Sequence, residues 1–219
     1  MLLPKKGVSV FNDDDLLFSP GTDFSYSTYN YTLLSAMIEG ASEMDFPHFM
    51  KTSIFEPLDI DIPTEQQTAV IENLSKFYEV ENNQYKEVYK VNNSNKWAGG
   101  GFIATPTDLV TLGNAFLNHK LLNKRTVQSL TQPVTLTNGQ INEQSYAIGW
   151  RSHISKSVFK NNYPVQVFHH AGMATGATSI FVLFPEYNAS ISLLINKTES
   201  PSNLFKYAYD LIHLFIHKP

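Results

Sequence analysis

VQVFHHAGMATGATSIFVLFPEYNASISLLIN, residues 165–196, alternates apolar and polar side chains through three short runs broken by turn residues. A period of two is the pattern of strands, and "VQVFHH", "ATSIFVLFP" and "ASISLLIN" each have strand length. "SYAIGWRSH" (145–153) supplies a fourth run just upstream. Strands joined by links this short form hairpins, so the stretch predicts an antiparallel sheet. Downstream the period becomes helical. Ser200 is placed to cap a helix that Pro201 opens, and Leu204, Tyr207, Ala208, Leu211, Leu214 and Phe215 form a stripe able to lie across that sheet.

Upstream, helices dominate. Leu33, Leu34, Met37, Ile38 and Ala41 recur on one helix face, with Ser25, Ser27 and Thr28 as candidate caps. "FPHFMKTSIFEPL" predicts a short helix from Pro47 to about Phe55, and residues 56–67 read as a connector. "KFYEVENNQYKEVYKV" (76–91) is rich in aromatic and β-branched residues around a polar "ENNQ", which predicts a hairpin excursion. The strongest local signal is "ATPTDLVTLGNAFL". Thr105 caps, Pro106 occupies the first turn, and Asp108 follows three residues after the cap. A further short helix falls at 124–131. Helices, then strands, then a helix argue an α+β fold, with a mainly helical region over 1–133 and an antiparallel sheet with its C-terminal helix over 134–219, together one domain.

The chain has 219 residues, 42% hydrophobic and 13% aromatic, enough for a substantial core. Sixteen Lys+Arg against twenty Asp+Glu give a net charge of -4, without the basic stripe a nucleic-acid partner requires. The absence of cysteine excludes disulfides, thiolate metal sites and a cysteine nucleophile within this sequence. The apolar start of "MLLPKK" is too short for a signal peptide, and no run approaches the roughly eighteen apolar residues of a membrane span. These features leave the compartment open.

Two stretches could carry chemistry. Tyr26 sits at a helix entry, and a phenol with a pKa near 10 acts as a base only where its surroundings favour the phenolate. His169 and His170 lie between predicted strands. Adjacent strand residues point to opposite faces and cannot share one ion, so metal binding is disfavoured. The small residues after His170 would instead let a substrate approach strand N–H groups. "WAGGGF" (97–102) allows close backbone approach but lacks the pattern of a phosphate loop.

In order, "FSPGTDFSYSTYNYTLLSAMIEGAS", "IFEPLDI", "WAGGGFIATPTDLVTLGNAFL", "YAIGW" and "HHAGMATGATSIFVLFPE" resemble motifs of the serine β-lactamase-like family. That family includes class C β-lactamases, DD-peptidases, esterases and the LACTB-like group. The resemblance runs from about residue 17 to 198 and implies the β-lactamase/transpeptidase-like fold. It implies hydrolysis of an amide or ester through an acyl-serine, with a small-molecule or peptide substrate bearing a carbonyl and no metal or other cofactor. Tyr26 matches the tyrosine of Y-x-N, which activates the serine and protonates the leaving group. Thr28 stands where asparagine is usual; its hydroxyl has no amide carbonyl to offer a substrate. His170, Ala171 and Gly172 match Lys/His-x-Gly, and Met173 N–H would be an oxyanion donor.

The family's nucleophile motif is S-x-x-K. The sequence contains it once, at Ser157 to Lys160 in the polar link "SKSVFKNNYP", which is not expected to form a catalytic pair. The resemblance therefore implies a family fold truncated at its N-terminus, inactive as an isolated chain. The alternatives are a non-catalytic binding protein of the same fold, or one half of a split enzyme completed by an N-terminal chain. A sheet edge and an apolar face left uncovered would favour self-association.

Overall fold

The computed structural model describes residues 4–62, 71, 73–88 and 92–216. Along them run α1 (Pro4–Val8), α2 (Thr28–Ser42), α3 (Phe46–Met50), β1 (Tyr78–Glu81), β2 (Gln84–Glu87), α4 (Pro106–Leu117), α5 (Lys124–Thr131), β3 (Arg151–Ser155), β4 (Val165–Ala174), β5 (Ala177–Phe184), β6 (Ala189–Ile195) and α6 (Ser202–Ile212). The chain forms two compact units. One comprises Met1–Leu74 with Tyr89–Asp108, the other Ser75–Val88 with Leu109–Pro219.

In the first unit, Ser27 is extended and its hydroxyl accepts from Tyr29 N–H, which starts α2. Glu43 ends that helix in the left-handed conformation. Glu39 then accepts from Phe46 N–H, tying α2 to the Asp45-capped α3. The helix expected from Pro47 to Phe55 is present in two pitches: α3 gives way to a wide π-turn over Lys51–Phe55 and a 3-10 turn over Glu56–Leu58. Phe46 and Phe55 are buried and pack on Phe102. The apolar face read on α2 does not point inward. Thr32 and Ser35 are buried, whereas Leu33, Leu34 and Met37 are 42%, 46% and 61% exposed. Small side chains are needed on the inner face because α1 approaches there: a Cβ on Gly7 would lie 2.8 Å from Thr32 Cγ2.

The second unit is built on an antiparallel sheet in the order β3-β4-β5-β6. The β4 and β5 strands are joined by a turn at Thr175–Gly176, where Gly176 adopts φ 77°. The expected 76–91 hairpin is β1 and β2; residues 89–91 lie outside the described residues. Tyr78 bonds to the backbone on both sides of Lys197, so the start of β1 lies parallel beside the segment that follows β6. The capping box at Thr105 and Asp108 forms as expected, with Thr105 N–H donating to Asp108 and Asp108 N–H to Thr105. Asn123 caps α5, its Oδ1 accepting from Thr126 N–H.

One sheet face carries Val165, Val167, Ile180, Val182 and Phe184 against Leu204, Ala208 and Ile212 of α6. The helix expected across the sheet is there, but rotated from the stripe read in the sequence. Leu204, Ala208 and Ile212 face inward at four-residue spacing, whereas Tyr207, Leu214 and Phe215 are 58%, 71% and 76% exposed. Ser200 does not cap α6, because its hydroxyl is bonded to that of Ser202, and Pro201 takes the cap position. On the opposite sheet face, α4 approaches through Gly113. A Cβ there would meet Leu183 and Phe181 at 2.8 Å, which requires glycine.

The fourth expected strand is shorter than "SYAIGWRSH": only Arg151–Ser155 pairs with β4. Residues 145–150 form a turn, with Ser145 and Gly149 at positive φ and Ala147 N–H donating to Trp150 C=O. The cause is Asn142, whose buried carboxamide takes both Tyr146 N–H and Tyr146 C=O, the groups a ladder would use.

Candidate functional site

Each unit carries one part of the residue set read from the sequence. In the first, Tyr26 immediately precedes the cap Ser27 and is half-buried, its ring 6.1 Å from that of Tyr31. Thr28 is the first residue of α2 and is exposed. It lies against the glycine stretch: a Cβ on Gly99 would sit 3.6 Å from Thr28 Cβ and Thr28 C=O. Gly101 is crowded by Trp97, which is 1% exposed and whose ring would come within 2.5 Å of an added Cβ. Gly99 and Gly101 of "WAGGGF" thus serve close approach, one to the start of α2 and the other to the buried tryptophan.

In the second unit, His169 and His170 lie on opposite sheet faces, as adjacent strand residues must. His169 looks toward α6, its ring 4.8 Å from Phe205 and 5.2 Å from His153. Its Nδ1 is buried and has no hydrogen-bond partner among the described residues. Burial first, then the neighbouring His153, Arg151 and His170 charges, push its pKa down to about 4. Among the described residues no group of three or more His, Cys, Asp or Glu side chains is arranged to hold a metal.

His170 pairs with Phe181 of β5 and faces the loop before β3. Tyr146 Oη is 2.9 Å from His170 Nε2, and His170 Nδ1 is 2.9 Å from Ala171 C=O. Burial lowers the His170 pKa, the Ala171 carbonyl opposes this, and the Arg151 charge adds to the lowering. At neutral pH the imidazole is therefore uncharged. Tyr146 is 7% exposed, and the Arg151 guanidinium lies 5.5 Å from its ring centroid while also donating to Gln144.

Ala171 joins the core on the α6 side, and Gly172 pairs with Ser179, whose Oγ an added Cβ would meet at 2.8 Å. Met173 pairs with Thr178, and its side chain is 63% exposed. The last β3–β4 pair is Arg151 with His169, whereas β4 stays paired with β5 as far as Ala174. Among the described residues no strand flanks Ala171–Ala174 on the β3 side. Alternate backbone groups there point toward an open edge, an arrangement able to receive an extended chain or an oxyanion.

Ser157 and Lys160 are both exposed, in a bend between β3 and β4, with the buried Val158 and Phe159 between them. They do not form successive turns of one helix, so the spacing is incidental. Tyr146, Asn142 and Arg151 were not singled out in the sequence. The Tyr146 motif "YAIGW" was visible, but its contact with a histidine 24 residues away leaves no local periodicity.

The chain is similar to known proteins in sequence and fold. A protein from Homo sapiens, the serine beta-lactamase-like protein LACTB, mitochondrial, is 34% identical over 201 residues, covering 83% of this chain and 36% of its own length. The chain thus spans about a third of the length of that relative. Two solved structures share the fold. A penicillin-binding protein from Bacillus halodurans matches with TM-score 0.78 at 18% identity, covering 95% of this chain and 63% of its own. A D-stereospecific amidohydrolase from Streptomyces sp. matches with TM-score 0.76 at 22% identity, covering 99% and 62%. The β-lactamase family profile matches residues 5–214, nearly all of the sequence. With that match and a relative 34% identical over 83% of this chain, the chain belongs to the β-lactamase family.

Proposed function

We propose that this chain contributes the tyrosine and His-x-Gly parts of an acyl-serine hydrolase acting on an amide or ester carbonyl, in a β-lactam, a peptide or a carboxyl ester. In this reaction a serine oxygen attacks the carbonyl carbon while its proton passes to the Tyr26 oxygen. The carbon–leaving-group bond then breaks as Tyr26 returns the proton, and water repeats the sequence to release the acid. Met173 N–H stabilises the oxyanion, Ala171 and Gly172 supply backbone along the substrate, and Thr28 offers it a hydroxyl. His170, its pKa lowered by burial, takes the family's supporting role as a neutral group rather than as a cation.

The observation that carries this reading is the open β3-side edge of Ala171–Ala174 directly after His170. The likeness to a D-stereospecific amidohydrolase favours an amide carbonyl. The nucleophile is the missing part. Ser157 and Lys160 lack its geometry, so the 219-residue chain is proposed to be inactive by itself and to need a segment bearing S-x-x-K. Intact-mass spectrometry after incubation with a fluorophosphonate, and separately with a penicillin, checks this. The expected result is no adduct on the folded chain, and a stoichiometric adduct on a segment bearing S-x-x-K supplied in trans. Tyr26→Phe should abolish that adduct. An adduct mapping to Ser157 would overturn the assignment, and a folded complex that never labels would favour a non-catalytic binding protein instead.

A further inference from the structure

We propose that Tyr146 is a positioning residue that locks His170 as the neutral, Nδ1-protonated tautomer and fixes the ring on the open-edge side of β4. This deepens the proposed acyl-transfer reading, on which its catalytic meaning rests. The assignment follows from the chemistry of the two contacts. The Ala171 carbonyl can only accept, so the proton between it and His170, 2.9 Å away, belongs to Nδ1. In the uncharged ring Nε2 is then the acceptor, and the tyrosine hydroxyl, also at 2.9 Å, is its donor.

Tyr146 is itself held from three sides. The Asn142 carboxamide fixes its backbone N–H at 2.8 Å and its carbonyl at 2.7 Å, Arg151 covers its ring, and Ser145 enters in the left-handed conformation. The rings of Tyr146 and His170 meet edge to face at 82°, with the hydroxyl within hydrogen-bond distance of Nε2. The charged and titratable groups around His170 include Arg151, His169 on the other sheet face and Tyr146. Arg151 is a permanent cation whose charge reaches His170. A positive charge placed on His170 would be opposed by that guanidinium and by burial, so the Tyr146 bond and the electrostatics favour the same state.

The test reads the ring directly, in the full chain without substrate, by long-range proton–nitrogen NMR of 15N-histidine protein. Loss of one signal set in His170→Gln identifies the residue. In the wild-type chain at pH 7.5 to 8, about a unit or more above the unperturbed histidine pKa, Nδ1 is expected protonated and Nε2 bare. In Tyr146→Phe, which keeps the ring and its Arg151 contact, the Nε2-protonated fraction should rise about fivefold, the weight of one neutral hydrogen bond. Tyr187→Phe should leave the His170 signals unchanged. A wild-type His170 protonated on Nε2, or an unchanged tautomer ratio in Tyr146→Phe, would overturn the proposal. The wild-type measurement keeps its force if Tyr146→Phe fails to fold. Neither depends on whether the chain hydrolyses anything, so failure of the tautomer assignment stays distinct from failure of the proposed reaction.

Discussion

Asn142→Ala would release the loop that holds Tyr146 against His170, and the structure allows its cost to be worked out bond by bond. The side chain is 2% exposed. Its Nδ2 donates to the carbonyls of Tyr146 and Val134 at 2.7 and 3.1 Å, and its Oδ1 accepts from Tyr146 N–H at 2.8 Å and Gln144 N–H at 3.3 Å. These losses are unequal. The Tyr146 carbonyl would still accept from Val134 N–H, and the Val134 carbonyl from the backbone N–H of residue 142. The Tyr146 N–H, in a residue 7% exposed, would lose its acceptor. An orphaned buried donor costs about 1–3 kcal/mol and each ordinary bond about 0.5–1.5 kcal/mol before rehydration. The expected destabilisation is about 2–4 kcal/mol. Urea unfolding should show a lower midpoint at unchanged slope, and hydrogen exchange should accelerate across residues 142–152. A loss below about 0.5 kcal/mol with unchanged exchange would refute the view that this amide, rather than the flanking strands, fixes the loop.

Other perturbations test neighbouring parts of the argument. His169 is held at a pKa of about 4 by burial, below its unfolded value, so the unfolded chain binds more protons between pH 4 and 6.5. Its contribution is complete above about pH 6.5 and is lost as pH falls toward 4, by at most roughly 3 kcal/mol; His169→Phe should flatten urea-melt stability over that window. On α6, Leu204→Ala should cost about 2–4 kcal/mol and Phe215→Ser less than about 0.5, because Leu204 is 3% and Phe215 76% exposed. Equal effects in thermal melts would mean that the wrong helix face has been assigned to the core.

Local patterns in the sequence determined the elements themselves. Thr105, Pro106 and Asp108 satisfy the first turn of α4 from within three residues of the cap, and period-two alternation over 165–195 gives β4 to β6 because side-chain direction in a strand depends only on position parity. The same parity places His169 and His170 on opposite faces. Tyr26 and the His-x-Gly run were legible because a motif is a string of neighbours. Tertiary structure alone decided which apolar stripe is covered. Leu33, Leu34 and Met37 on α2, and Tyr207, Leu214 and Phe215 on α6, have helical spacing yet lie exposed, since spacing shows that a face exists but not what packs upon it. It also decided that β3 begins only at Arg151 and that Tyr146 meets His170. Both depend on Asn142 capturing backbone groups that a strand would otherwise use, a competition between hydrogen-bond partners that no periodicity encodes.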